Sequence, residues 1–496
     1  MDLNEVNRDD LRDNDARSPS VAATPLANAL RRSLGRRKFL KLTTAYFAGT
    51  MGIGAVLAAC GGTSPSSSHS SSSNAGPGSK VINFFTDEND PASLKVYAAA
   101  IKDFEAKNPS VHIAMSLVSG DTRDQHAQTG LSVGQDLGIF TIDRSYTPAF
   151  VLSGYLAPLD NLVKSIGADQ FTVGTRQVIN GHDWIFPYAA GPFGCWYRTD
   201  LMQQPSTLQE LKAAAKENTG GGRYGISLAL GDSGAMYNTF PQFLWSAGGD
   251  YWDRKGNVVF GSDAARTAIQ NVVDLLKYAP SGNTNWSPFQ FITDYVGGVV
   301  AMAPWAGRLG VNMFEQGSPL AAKSSVIRGP WGPQRVNLTR WSTLAIDKKC
   351  QYPDEAMAFV QHVHTGSYGV AFANSVPGQE VPSVKSTRDA ANADTTIPYI
   401  KAHPDWNSTI ANLVLNGTDL GGPMGAVAGG KLELYNGPGA PWSQAAFGTN
   451  DIDTQMFQKI VLQGMSVKDA HAWGTEQYQT LVKNFKSTHP NWKKEL

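Results

Sequence analysis

Cysteine is nearly absent. Three occur in 496 residues, at positions 60, 195 and 350, which excludes a disulfide framework and any multi-cysteine zinc site. Net charge is absent as well: 42 basic side chains cancel 42 acidic ones, so no global field draws the chain to nucleic acid or an anionic surface. No G-x-x-x-x-G-K-[S/T] phosphate loop occurs, and no H-E-x-x-H, G-x-S-x-G or S-x-x-K arrangement that would support hydrolysis. His362-x-His364 suggests a metal, but residues two apart on a helix point about 200° apart and cannot share an ion. The expectation is a protein that is not an enzyme and that needs neither cofactor nor metal.

Long apolar runs are scarce too. Only 42–59 approaches the ~20 residues of a membrane span, and its Thr43, Thr44, Gly49, Thr50, Gly52 and Gly54 make it weakly apolar. Its setting reads as an export address. Residues 1–30 are polar and without periodicity, hence expected to be disordered. Arg36-Arg37-Lys38-Phe39-Leu40-Lys41 then resembles a twin-arginine signal, with Gly35 where Ser or Thr is commoner. The run closes on Leu57-Ala58-Ala59-Cys60-Gly61, which resembles a lipoprotein box whose thiol at Cys60 receives lipid. Residues 31–60 are thus expected to form a twin-arginine-type lipoprotein signal peptide. The Ser- and Gly-rich stretch 61–79 would be a tether with roughly 25 Å of r.m.s. reach. The mature chain is expected outside the cytoplasmic membrane, held to it by lipid and probing its surroundings as a monomer.

From 80 onward, strand-like and helical patterns alternate. Val81-Ile82-Asn83-Phe84-Phe85 predicts a buried strand, and 92–107 carries apolar residues at helical spacing. Asn108-Pro109 stops that helix and 111–115 predicts a second strand, parallel to the first. Further strands are expected at 136–141, 224–227 and 299–302, and helices at 264–277, 354–364, 451–462 and 467–486. The class is α/β, and the length implies more than one core.

Phe104-Glu105-Ala106-Lys107-Asn108-Pro109-Ser110-Val111 resembles the "F-E-x-x-N-P-x-V" segment of the family 1 extracellular solute-binding proteins of ABC importers. Gly154-Tyr155-Leu156-Ala157-Pro158-Leu159 is similar to its "G-x-L-x-P-L" stop. Gly181 to Pro187, Tyr197 to Leu201, Pro205 to Leu211, Trp245 to Asp250, Val300 to Trp305 and Ile327 to Pro333 follow in the family's order. Two departures are Arg198-Thr199 after the family's Tyr and the lack of Gly-Gly around Arg340-Trp341-Ser342. The chain is similar to maltose- and oligosaccharide-binding members of that group.

The resemblance implies a type II periplasmic-binding-protein-like fold, two α/β lobes joined by crossing hinge strands. By motif order lobe 1 takes 80–189 and 327–376, and lobe 2 takes 190–326 and 377–496. The crossings would fall near 188–191, 326–329 and 376–378. It implies a carbohydrate captured between the lobes and passed to ABC permease subunits in the membrane. A pyranose needs aromatic platforms and planar polar groups. Trp305 is the foremost candidate, at the end of a strand-like run where the family uses a stacking Trp. Asp87 and Glu88 follow the first strand, and Asp143 and Arg144 the third, at positions where α/β sheets hold ligands. Tyr188, Trp341 and Trp442 complete the set. A receptor for glycerol-phosphate or another polar anion is the alternative if two of Arg144, Arg308 and Arg340 converge, and a secreted carbohydrate-active enzyme is the alternative of a different class. Cys195 and Cys350, assigned to different lobes, are expected as buried thiols.

Overall fold

The computed structural model describes residues 79–120, 122–231, 233–283, 290–428 and 430–495. The twin arginines, the apolar run, Cys60 and nearly all of the tether lie outside the described residues. Among the described residues no helix is long and apolar enough to cross a membrane.

The first strand, β1 (Lys80–Thr86), buries Ile82 and Phe84 on one face and leads into helix α1 (Pro91–Lys107). Asp90 caps that helix by accepting from the Ala92 amide, and Pro91 sets its first turn. Asn108 ends it, and β2 (Val111–Leu117) returns parallel to β1, Ile82 opposite Ile113. Helix α2 (Arg123–Ser132) then feeds β3 (Ile139–Asp143), which lies parallel on the other side of β1. This is the right-handed β-α-β logic that the apolar spacing predicts, and it brings the carboxyl ends of β1 and β3 to one edge.

One strand joins two cores. The long β4 (Phe186–Arg198) is buried along its whole length. Through Phe186–Pro192 it pairs antiparallel with β7 (Asn337–Ile346), which in turn pairs with β3. From Phe193 it pairs instead with β5 (Met302–Ala306), and from Cys195 also with β6 (Ser324–Ile327). The short β8 (Val381–Pro382) flanks β4 at Ala189 and Ala190, and β9 (Gly417–Thr418) extends β7. Among the described residues these nine strands form one continuous sheet.

Two apolar clusters sit on either side of that change of partners. Ile82, Phe84, Tyr97, Phe104, Phe186, Leu344 and Phe359 lie in the first. Trp196, Phe240, Phe243, Ile269, Met302, Tyr251 and Tyr478 lie in the second. Helix α3 (Ser233–Ser246), α4 (Asp263–Leu276), and the late helices α7 (Ile452–Gln463) and α8 (Val467–Thr488) belong to the second, while α5 (Pro353–His364) and α6 (Gly366–Ala373) belong to the first. Each fully buried aliphatic or aromatic side chain is worth about 1.5–3 kcal/mol of burial, so each cluster can hold its own lobe. The fold is a mixed α/β one with two lobes.

The return to the first lobe comes later than motif order suggests. Trp331, Val336 and Leu338 still pack in the second cluster, and only from Ser342 does β7 pair with β3. The crossing is therefore within 337–342 rather than at 326–329, because Trp331 anchors the intervening loop against Phe243, ring centroids 4.8 Å apart. Residues 224–227 and 299–301 also differ from the strand expectation: only an isolated bridge joins Tyr224 to Val300. Cys195 and Cys350 are both free and buried, one in each cluster.

Candidate functional site

Side chains from the two lobes meet along a polar seam beside the β4 crossing. The parallel β1 and β3 deliver Asp87, Glu88 and Asp143 to their shared carboxyl edge, and antiparallel β7 brings Arg340 to the same place, because Ser342 is opposite Asp143. Arg123, at the first turn of α2, ties the edge together. Its guanidinium lies 2.5 Å from Asp87 Oδ2, 3.4 Å from Asp124 Oδ2 and 3.5 Å from Asp143 Oδ2. Burial alone would lower the Arg123 pKa, but these three carboxylates outweigh it and hold the proton on.

The second lobe and the crossing strand β7 contribute cations and aromatic rings. Arg308, just beyond β5, reaches Asp90 at 2.9 Å. Arg340 Nη2 lies 3.5 Å from Asp143 Oδ2, and its guanidinium stacks over the Tyr237 ring of α3 at 4.5 Å. Gln444 Nε2 donates to Tyr146 Oη at 3.3 Å. Burial pushes Asp143 up, but Arg340, Arg123 and the hydrogen bonds from Ser145 prevail and leave its carboxyl below the usual range. Arg308–Asp90 and Gln444–Tyr146 thus link the two lobes across the seam.

Compensation fails elsewhere in the seam. Burial raises Glu88 despite the Asp90 and Asn89 amides that it accepts. Glu380, at the third crossing, is held well above the usual carboxylate range by burial and by Glu88, with Arg308 opposing. Arg144 is wholly buried, donating to Gly174 O at 2.7 Å and lying 3.7 Å from Asp419. Burial pushes Asp419 to about 6 against the pull of Arg144. Such partly compensated buried charges cost stability.

The candidates named from sequence divide accordingly. Asp87, Glu88, Asp143 and Arg144 come together on the first-lobe side of the seam. Trp305 sits two residues after Ala303 on β5 and three before Arg308, with 7% of its surface exposed. Phe291 stacks on one face of it at 4.9 Å and Phe193 meets it edge-on, while its indole Nε1 is buried without a hydrogen-bond partner among the described residues. Trp341 follows Arg340 and is buried in the second cluster, its backbone N–H helping to hold Asp419. Tyr188 is a core residue, stacked on His364 at 4.6 Å; burial pushes that imidazole down to about 3 and keeps it neutral. Trp442 is not part of the seam. It is enclosed by Trp252, Phe485 and Trp492, with Lys486 over its ring, which makes it a packing residue.

Sequence reasoning missed Arg123, Asp90, Tyr237, Glu380 and Asp419. Asp90-Pro91 carries a helix-start signal that would have placed Asp90 beside the first strand's end. Glu380 and Asp419 sit in irregular segments with no pattern to find them. Among the described residues no group of three or more His, Cys, Asp or Glu could hold a metal ion.

The model of the bacterial extracellular solute-binding proteins matches residues 86–365, more than half of the chain. The chain belongs to that family. A binding protein of Brucella abortus strain 2308 is 28% identical over 182 residues, which span 34% of this chain and 43% of that protein. A binding protein of Brucella suis matches to the same extent. The chain therefore aligns with less than half the length of these curated relatives. Among solved structures, maltose-bound MalE3 of T. maritima superposes with a TM-score of 0.64 at 20% identity, covering 81% of this chain and 100% of that one. A solute-binding protein of Thermotoga lettingae bound to α-D-tagatose gives 0.67 at 18%, covering 82% and 100%. The acarbose receptor GacH of Streptomyces glaucescens gives 0.62 at 18%, covering 82% and 99%. At these identities the likeness establishes the shared two-lobe fold.

Proposed function

We propose that this protein is the extracytoplasmic receptor of an ABC importer, capturing a carbohydrate or polyol between its lobes and delivering it to the permease. The observation that carries this reading is the seam itself: Asp90 of the first lobe meets Arg308 of the second, and Arg340 on the crossing strand β7 lies between Asp143 and the Tyr237 ring, with Asp87 and Arg123 beside Asp143. Fixed carboxylate–guanidinium pairs beside aromatic rings are suited to neutral hydroxyls, which take hydrogen bonds from both partners. Trp305 acts here through its free indole N–H, since Phe291 already covers one face of the ring. The protein matures by twin-arginine export through Arg36 and Arg37, is lipidated at Cys60, works as a monomer outside the cytoplasmic membrane, and has no catalytic step of its own.

A neutral ligand is favoured over glycerol-phosphate because Arg123, Arg308 and Arg340 each already face a carboxylate. A carbohydrate-active enzyme would turn over glycosides. Calorimetric titration with a carbohydrate and polyol panel, with product analysis of each mixture, separates the three. Saturable binding without turnover supports the receptor. Binding confined to phosphorylated solutes moves the ligand class, and release of product overturns the assignment.

A further inference from the structure

Away from the seam, the loop between β6 and β7 is pinned in a way that returns two arginines to one place. Trp331 is fully buried against Phe243, and a Cβ on Gly329 would fall 2.0 Å from its indole. A Cβ on Gly332 would fall 2.3 Å from the Ser246 carbonyl, so only glycine lets the loop lie on the end of α3. The Gln334 amide donates to Ser246 O at 2.9 Å, and Ser246 Oγ donates to Val336 O at 2.9 Å. Arg328 and Arg335, seven positions apart, consequently line the same pocket of about 330 Å³ with Gln204, Ser325 and Thr409.

That pocket is cationic and unsatisfied. Neither arginine makes an ion pair among the described residues, in a chain where Arg123, Arg176, Arg198, Arg308 and Arg340 all do. Arg328 Nε is buried with no hydrogen-bond partner among the described residues. Burial lowers the Arg328 pKa, and the like charge of Arg335 lowers it further, so the two guanidinium groups feel each other. The side chains of Gln204, Ser325 and Thr409 make no hydrogen bond among the described residues, whereas Ser206 at the rim already donates to Glu210. Two like charges held together by a rigid loop are relieved by a ligand with at least two anionic oxygens, which planar guanidinium groups bind in bidentate fashion.

We propose that this pocket is a second ligand site, separate from the seam, for a small oxyanion of charge near −2: a phosphate or a dicarboxylate. The hydroxyls of Ser325 and Thr409 would supply neutral donors to the remaining oxygens. The site does not depend on what the seam binds. Its test is calorimetric titration of the full chain at low salt with inorganic phosphate and, separately, with succinate. Expected is saturable binding of at least one, with the preferred probe fixing the class. R335Q, a change at an exposed side chain, should weaken it about tenfold, and R328Q/R335Q should abolish it while circular dichroism and melting temperature stay native. Binding of neither probe, or binding that the double variant retains, overturns the proposal.

Discussion

At the residue scale, the seam is governed by which carboxylates have a cation and which do not. Asp143 has Arg340 and Arg123, which hold its carboxyl below the usual range; Glu380 is raised well above the ordinary value of 4.5 by burial and by the charges of Glu88, Asp87 and Asp90, with Arg308 opposing. A carboxyl whose folded-state pKa is raised binds more protons when folded, so stability falls as pH rises from the unfolded value toward the folded one. Glu380 should therefore contribute a loss of stability as pH climbs above about 4.5, and Glu380→Gln should remove that contribution, so that the melting point of the variant rises relative to the parent as pH increases. A Gln variant that leaves the pH profile unchanged would contradict this. The two thiols give a second check. Burial pushes Cys195 up to about 12 and Cys350 to about 11, so neither is a thiolate near neutrality. Neither should react with a disulfide reagent such as DTNB until denaturant unfolds its lobe.

Among elements, the crossings decide what the lobes can do, and here close backbone approach matters more than side-chain type. A Cβ on Gly307, between Trp305 and Arg308, would lie 2.2 Å from Gly378 O on the third crossing, and Gly378 itself has φ +78°. Gly307→Ala must push these segments apart, so it should cost about 2–4 kcal/mol and break the Arg308–Asp90 contact, read as a lowered melting temperature and weakened ligand binding. Much of this scale was legible. The apolar spacing of 81–115 places β1, α1 and β2, and Gly and Pro near 188–192 mark where β4 leaves one core for the other. The second crossing was not legible, because Trp331 and Gly332 follow no period and are held only by tertiary contact with α3. Trp442 misled for a related reason: a tryptophan in a Gly- and Pro-rich stretch looks like a binding surface until Trp252, Phe485 and Trp492 are seen around it. Asp87 and Asp143 could be placed because parallel strands deliver their carboxyl ends together, whereas Glu380 and Asp419 arrive from distant irregular segments.

For the whole molecule, family membership joins a two-lobe body to an N-terminal address that is read from sequence alone. If Cys60 carries the lipid, Cys60→Ser should move the protein from the membrane fraction to the soluble exported fraction without altering its fold, as followed by cell fractionation and immunoblotting. Retention of the variant in membranes would assign the apolar run 42–59 as the anchor instead. Lobe closure has its own signature. Arg308–Asp90 and Gln444–Tyr146 join the lobes, and a ligand between them should favour the arrangement in which these contacts form by its differential affinity. The most direct measurement is calorimetric titration of the purified protein with a panel of neutral mono- and oligosaccharides and polyols, repeated on Arg308→Ala. The expected result is one-to-one saturable binding of at least one neutral carbohydrate, weakened about tenfold or more in the variant; absence of binding across the panel, or equal binding by the variant, would contradict capture at the interlobe seam.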